Sequence, residues 1–148
     1  MNKALLFGGS GFIGSHMLKM NAVSGFIFDI KKSIISHKEF EYVDVRNPIK
    51  TSYTPTPEDV IFNLAAALKN PGHEPEEYYE TNRLCAENVC NFARDHGINT
   101  IVFTSTMSVY GTSESEKTEE SLPMPDTPYG ISKRIAELIH EKWLYEDI

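Results

Sequence analysis

The chain has 148 residues, enough for one domain with a real core, and its hydrophobic content of 41% is ordinary for a globular protein. A net charge of −7, with no basic stretch long enough to track a phosphate backbone, argues against a nucleic-acid partner. No apolar run approaches the roughly 20 residues that span a bilayer, and Lys3 is followed by only four apolar residues before the first glycines, which is not a signal-peptide pattern. A cytoplasmic location and no membrane partner are therefore expected. Cys85 and Cys90, five apart on a helical stretch, are read as reduced thiols, and the five scattered histidines lack metal-ligand spacing.

In chain order, the apolar run Ala4-Leu5-Leu6-Phe7 opens a first strand, 3–8. It enters Gly8-Gly9-Ser10-Gly11-Phe12-Ile13-Gly14, a glycine turn leading into a short helix from about Phe12 to Met20. Gly8 permits positive φ, Gly11 admits a pyrophosphate close to the backbone, and Gly14 lets the helix pack on the strand. The helix N-terminus would then face the phosphates. A second strand, 26–30, carries Asp29, about 20 residues after the turn, where a carboxylate meets the ribose 2′-hydroxyl of NAD. Asp29 favours NAD over NADP, and Lys31 and Lys32 are the counter-argument.

A third strand is expected at 41–45. Residues 48–58 contain three prolines and read as loop. A fourth strand lies at 60–65, and the strongest helix at 76–95, with Pro75 at its start and Gly97 just past its end. A fifth strand at 100–105 leads into Ser105-Thr106-Met107-Ser108-Val109-Tyr110-Gly111. Residues 112–126, rich in Ser, Glu, Thr and Pro, read as a surface loop whose position also suits covering a substrate. Thr127-Pro128 starts the last helix, with Ile131, Ile135, Leu138 and Ile139 as its apolar stripe. Strands alternating with helices predict an α/β fold, a Rossmann-type doubly wound parallel sheet in three layers.

Tyr129 and Lys133, four apart, share one face of the last helix. An ammonium beside a phenol favours the phenolate, drawing its pKa from about 10 toward neutrality. Such a phenol exchanges protons with an alcohol or carbonyl. A hydroxyl at the end of strand five, such as that of Thr106, would share the same substrate oxygen.

These motifs together resemble the N-terminal, cofactor-binding part of the extended short-chain dehydrogenase/reductases, in the NAD-dependent epimerase/dehydratase group acting on nucleotide sugars. The resemblance also takes in Asp44-Val45, near the adenine; Asn63-Leu64-Ala65-Ala66, beside the cofactor, with Asn63 where a histidine is commoner; and Asn82 with Asn88 on the long helix. It implies Thr106, Tyr129 and Lys133 as the catalytic triad. Tyr129 would be the general acid/base, Lys133 would tune it and hold the nicotinamide ribose, and Thr106 would orient the sugar hydroxyl. Gly8, Gly11, Phe12, Ile13, Gly14, Asp29, Asp44, Val45, Leu64, Ala65, Ala66, Asn82, Tyr129 and Lys133 would form the cofactor site. The dehydratase branch has Asp and Glu where this chain has Met107 and Ser108, so epimerisation or simple oxidation/reduction is expected rather than dehydration. The group's C-terminal substrate region and sixth strand are expected to be absent here, the chain being a fragment or a shortened product. A non-catalytic dinucleotide-binding module is the alternative. A homodimer through helices 76–95 and 128–146 is a further expectation, with Tyr78, Tyr79, Phe92, Trp143 and Leu144 as candidate contacts.

Overall fold

A computed structural model describes residues 3–20, 22–32, 39–68, 72–113 and 115–146. Strands β1 (Ala4–Phe7), β2 (Gly25–Asp29), β3 (Phe40–Tyr42), β4 (Val60–Asn63) and β5 (Ile101–Phe103) form one parallel sheet in the order β3-β2-β1-β4-β5. β1 is central: Leu6 lies opposite Ile27 of β2 on one side and Phe62 of β4 on the other. The strands are shorter than expected because the backbone breaks off at their carboxyl ends to build the site loops, as at Gly8, Leu64 and Thr104.

Three helices connect and cover the sheet: α1 (Phe12–Lys19), α2 (Pro75–His96) and α3 (Pro128–Glu146). Alternation along β1 assigns the faces. Leu6 and Ile27 pack against Met17 and Leu18 of α1, while Leu5, Phe7, Phe28 and Ile61 join Val89, Cys90, Phe92 and Trp143 of α2 and α3 on the other side. Phe7 stacks on Phe28 with centroids 4.9 Å apart, and the edge of Phe92 meets Phe7 at 5.5 Å. The helix ends follow their residues. Glu74 and Glu77 form a reciprocal capping box, Pro75 occupies the first turn, and Gly97 leaves α2 with φ of 66°. Thr127 Oγ1 accepts the Gly130 N–H at 3.1 Å, opening α3.

Two expectations need correction. The buried face of α3 is Gly130, Ser132, Lys133, Ala136 and Trp143, whereas Leu138 is exposed and Ile131, Ile135 and Ile139 are only partly covered. Small side chains on that face let α3 sit close to its neighbours, so proximity rather than an aliphatic stripe sets the packing. Tyr78, Phe92 and Trp143, candidates for a dimer contact, are buried inside this domain, while Leu144 remains exposed. Cys85 and Cys90 are both buried and are not joined in a disulfide. Among the described residues no helix is long and apolar enough to cross a membrane, and no cluster of His, Cys, Asp and Glu suits a metal.

The amino end of the sheet is tied by Asp59, which is buried. Its Oδ1 accepts the Lys3 N–H at 2.8 Å, and its Oδ2 accepts the Tyr53 hydroxyl at 3.0 Å and the Thr56 N–H at 2.9 Å. Burial opposes ionisation, but these hydrogen bonds outweigh it and hold the carboxyl below its usual range. Asp59→Ala leaves three donors without an acceptor and is expected to lower the unfolding free energy by about 3 kcal/mol, read by urea denaturation.

Candidate active site

Every motif singled out in the sequence sits at the carboxyl ends of the strands, where an open parallel sheet leaves its crevice. Gly8 turns the chain off β1 with φ of 77°. Its N–H donates to Phe28 O at 2.8 Å, and a Cβ at this position would stand 2.6 Å from Ala65 N. Gly8 is therefore required twice, by its conformation and by its contact with the segment leaving β4. At Gly14 a Cβ would overlap Gly9, with the Gly9 Cα 2.6 Å away. The close packing expected of Gly14 is thus against the turn itself rather than the strand, and Gly9 is a second required glycine because its own Cβ would stand 2.6 Å from the Leu6 Cβ. At Gly11 the one near neighbour of a Cβ would be Gly8 O at 3.3 Å, so its missing side chain leaves the outer surface of the turn open.

That surface fits a dinucleotide. Gly11 is the N-cap of α1 with no side-chain cap, and no acidic residue stands in the first turn. No side chain of the cap or first turn of α1 competes for its amide donors or sets a carboxylate against them. Phe12 is 79% exposed and Ile13 is 49% exposed, two apolar side chains displayed beside the turn. Asp29, at the end of β2, reaches the same place: its Oδ2 accepts the Ser10 N–H at 3.0 Å and its Oδ1 the Lys31 N–H at 3.2 Å. Asp44 lies beyond β3 in a two-pronged pair with Arg46, with Nη2 to Oδ2 at 2.6 Å and Nε to Oδ1 at 2.9 Å. These bonds to Arg46 hold its carboxyl below the usual range. Val45 O accepts from Asn88 Nδ2 at 2.9 Å, so Asn88 anchors this loop to α2.

Asn82 is a buried clamp. Its Oδ1 accepts the Ala67 N–H at 2.8 Å, and its Nδ2 donates to Ala67 O at 3.3 Å and to Ser132 Oγ at 2.8 Å. All of its donors and its acceptor serve the protein, so it joins the Leu64-Ala65-Ala66 segment to α3. Ser132 completes the link by donating to Tyr129 O at 2.8 Å.

The three residues expected to do chemistry come from two neighbouring pieces of chain. Thr106 caps a short 3-10 turn, Met107–Tyr110; its Oγ1 accepts the Ser108 N–H at 3.2 Å and donates to Ser108 Oγ at 3.3 Å. A Cβ on Gly130 would stand 2.5 Å from Ser108 O. The residue after Tyr129 therefore touches the turn that Thr106 opens, and any side chain at 130 would force the two apart. The edge of Tyr78 packs on the Tyr129 ring, centroids 5.9 Å apart.

Lys133 is 2% exposed. Its Nζ donates to Thr104 O at 2.7 Å and stands 4.2 Å from the centre of the Phe103 ring. Burial lowers its pKa to about 8, with Cys85 and Glu137 acting in the opposite sense. Sequence reading missed Gly9, Phe103, Thr104, Gly130 and Ser132. Gly130 alone carried a signal, since a glycine inside a helix costs about 1 kcal/mol and implies a packing reason.

Residues 4–146 match the model of the NAD dependent epimerase/dehydratase family. The chain belongs to this family. It is 30% identical over 157 residues to an uncharacterized UDP-glucose epimerase of Bacillus subtilis, covering 91% of this chain and 49% of that protein. The UDP-glucose 4-epimerase of Thermotoga maritima, solved with UDP-glucose, superposes with a TM-score of 0.80 at 26% identity, over 99% of this chain and 52% of that one. MoeE5, solved with UDP-glucose and NAD, gives 0.78 at 26% identity, over 96% and 49%. The chain spans about half the length of the curated relatives it matches. NAD is the family's cofactor, and membership agrees with the extended short-chain dehydrogenase/reductase resemblance read from the sequence.

The buried ammonium has a measurable signature. Between about pH 8 and its ordinary value of 10.5, the unfolded chain binds the Lys133 proton and the folded chain does not. Stability therefore rises with pH through this window as the cost of burying the charge disappears. Cys85, pushed up from 9.0 to about 12 by burial, contributes the opposite slope above pH 9, so urea unfolding is expected to show the Lys133 rise between about pH 8 and 9 in the native protein and to lose it in Lys133→Met.

Proposed function

We propose that this chain binds NAD and supplies the acid–base groups of a nucleotide-sugar epimerase or dehydrogenase. The observation that carries the reading is the contact of Ser108 O with Gly130, together with the Lys133 bond to Thr104 O. These two contacts hold the Thr106 turn and the Tyr129–Lys133 helix together at the end of the sheet where the glycine turn opens.

Bound NAD would supply the hydride acceptor. The chain's own groups do the remainder. Gly8, Gly11 and the first turn of α1 would hold the pyrophosphate, flanked by Phe12, Ile13 and Gly14. Asp29 would take the adenosine ribose hydroxyls, and its charge would oppose a 2′-phosphate, so NADP is disfavoured. Asp44 and Val45 would border the adenine. Leu64, Ala65 and Ala66, positioned by Asn82, would line the cofactor between the two halves of the site. Tyr129 would take the proton of a sugar hydroxyl as its carbon is oxidised and return one when the ketone is reduced. The charge of Lys133 would stabilise the phenolate and hold the nicotinamide ribose. Thr106 would orient the hydroxyl that reacts. Met107 is 63% exposed and apolar, and Ser108 is engaged with Thr106, so neither offers a carboxylate for dehydration. The UDP-glucose held by the Thermotoga maritima epimerase supports a nucleotide sugar as substrate.

The reading is tested in two measurements. Calorimetric titration is expected to show NAD bound at least about tenfold more tightly than NADP; the reverse order overturns the role of Asp29. Tyr129→Phe is expected to leave NAD affinity within about twofold while cutting reduced-cofactor formation from UDP-sugars by about 100-fold or more. Native chain that binds NAD yet reduces none with any nucleotide sugar would favour a non-catalytic binding module, since remote contacts to the substrate normally support the chemical step.

A further inference from the structure

Lys133 has a second layer of support that no motif marks. The Phe103 ring that lies 4.2 Å from its ammonium also stacks on the imidazole of His140, with centroids 4.3 Å apart and planes within 18°. Lys133 and His140 are seven residues apart on α3, two helical turns along one face, and one aromatic ring of β5 touches both. The carbonyl that accepts the Lys133 proton belongs to Thr104, the next residue after Phe103. Where Phe103 sits therefore decides where the ammonium sits.

His140 is itself fixed by two hydrogen bonds. Its Nδ1 lies 2.7 Å from Ala136 O, which only accepts, so Nδ1 carries the proton. Its Nε2 lies 3.3 Å from Nδ2 of Asn63. The Asn63 amide is oriented from its other side, where Oδ1 accepts the Cys85 S–H at 3.3 Å. Asn63 thus presents a donor, and Nε2 must accept, which requires a neutral ring. A proton on Nε2 would set donor against donor and add a second cation to the Phe103 ring. Burial, with Lys133 nearby, indeed pushes the imidazole below its ordinary range against the Ala136 bond. The groups around it come from several elements. Lys133, Arg134, Glu137 and Glu141 belong to α3, Cys85 of α2 lies behind Asn63, and Glu119 borders the same cavity of about 610 Å³ into which His140 faces. Glu137 accepts from Ser105 and pairs with Arg134 at 2.9 Å, and Cys85, pushed up to about 12 by burial, stays a neutral thiol.

We propose that His140, held neutral between Asn63 and Ala136, is a positioning residue for Lys133 that acts through the Phe103 ring. It rests on the reading of Lys133 as the lysine that serves Tyr129. The imidazole braces the ring, the ring and the following carbonyl seat the ammonium, and the Asn63–Cys85 pair keeps the imidazole from taking a proton. Asn63, standing where the family resemblance led us to expect a histidine, is the donor that makes this arrangement work.

The test uses the native chain without cofactor or sugar, so its outcome is separate from that of the catalytic reading. Nitrogen NMR of labelled lysine side chains, with Lys133 assigned by its loss in Lys133→Arg, follows the ammonium, and imidazole nitrogen shifts follow His140. His140 is expected to be neutral at neutral pH, with its proton on Nδ1, and to titrate below the ordinary imidazole range because it is buried. His140→Ala unseats Phe103 and admits water from the cavity, so Lys133 is expected to titrate at least about one pH unit higher. His140→Phe keeps a ring on Phe103 and is expected to leave Lys133 within about half a unit of the native value. A folded His140→Ala protein whose Lys133 titrates as in the native chain overturns the proposal, as does a native His140 that is charged at neutral pH. Should His140→Ala fail to fold, Phe103→Leu replaces it, with the same upward shift expected and an unmoved lysine again decisive against the bracing role.

Discussion

A buried ammonium with one hydrogen-bond partner among the described residues is the constraint around which the carboxyl end of this sheet is arranged. Lys133 has left water for a place where one carbonyl and one aromatic face receive it. Desolvating a charge is costly unless the surrounding geometry compensates. That compensation requires β5 to stop at Phe103, so that Thr104 O turns toward α3. It also requires α3 to lie close enough for a lysine side chain to reach that carbonyl. The small residues on the inner face of α3, Gly130, Ser132 and Ala136, permit that closeness.

The other buried polar groups at this end of the sheet surround the same arrangement. Asn82 and Ser132 link the strand-four exit to α3, and Asn63, Cys85 and His140 form a second link one layer further in. Each buried donor in these links has an acceptor, so the segments they join have fixed relative positions. The glycine turn enters the same framework through Gly8, whose bare Cα lies against the Leu64-Ala65 backbone. The glycine turn, the strand-four segment and α3 are thereby one connected body. Within residues 112–126, Asp126 takes the N–H and hydroxyl of Thr112 and so joins the two ends of the segment, while Met124 O lies against Gly111. Leu122 and Met124 are left exposed on that loop.

Membership of the NAD dependent epimerase/dehydratase family and the fold of its solved relatives agree with this architecture. Where the chain departs from the pattern that the resemblance implies, the departures are local. Met107 and Ser108 stand where the resemblance gives the dehydratase branch an acidic pair, and the Ser108 N–H serves the cap that Thr106 makes. Asn63 replaces an expected histidine, while an imidazole reaches the same buried spot from His140 of α3.

Local chemistry was legible in the chain itself. Glycine spacing, an acid at the end of the next strand, the Pro75 and Gly97 punctuation of α2 and the Tyr129–Lys133 interval all depend on residues near one another in sequence, whose steric and dipolar effects do not wait for the fold. The doubly wound parallel plan followed from the alternation of strands with helices, while the strand order β3-β2-β1-β4-β5 was set by the tertiary structure. What only the tertiary structure decided were pairings between distant residues: Gly14 against Gly9 rather than the strand, Asn82 with Ser132, Asn63 with His140, Phe103 under Lys133, and a helix α3 that buries its small and charged face instead of its aliphatic one. The reason is physical. A hydrophobic pattern states how much surface a helix must cover, but which face is covered depends on how near its neighbours can come, and that distance is set by side chains elsewhere in the chain.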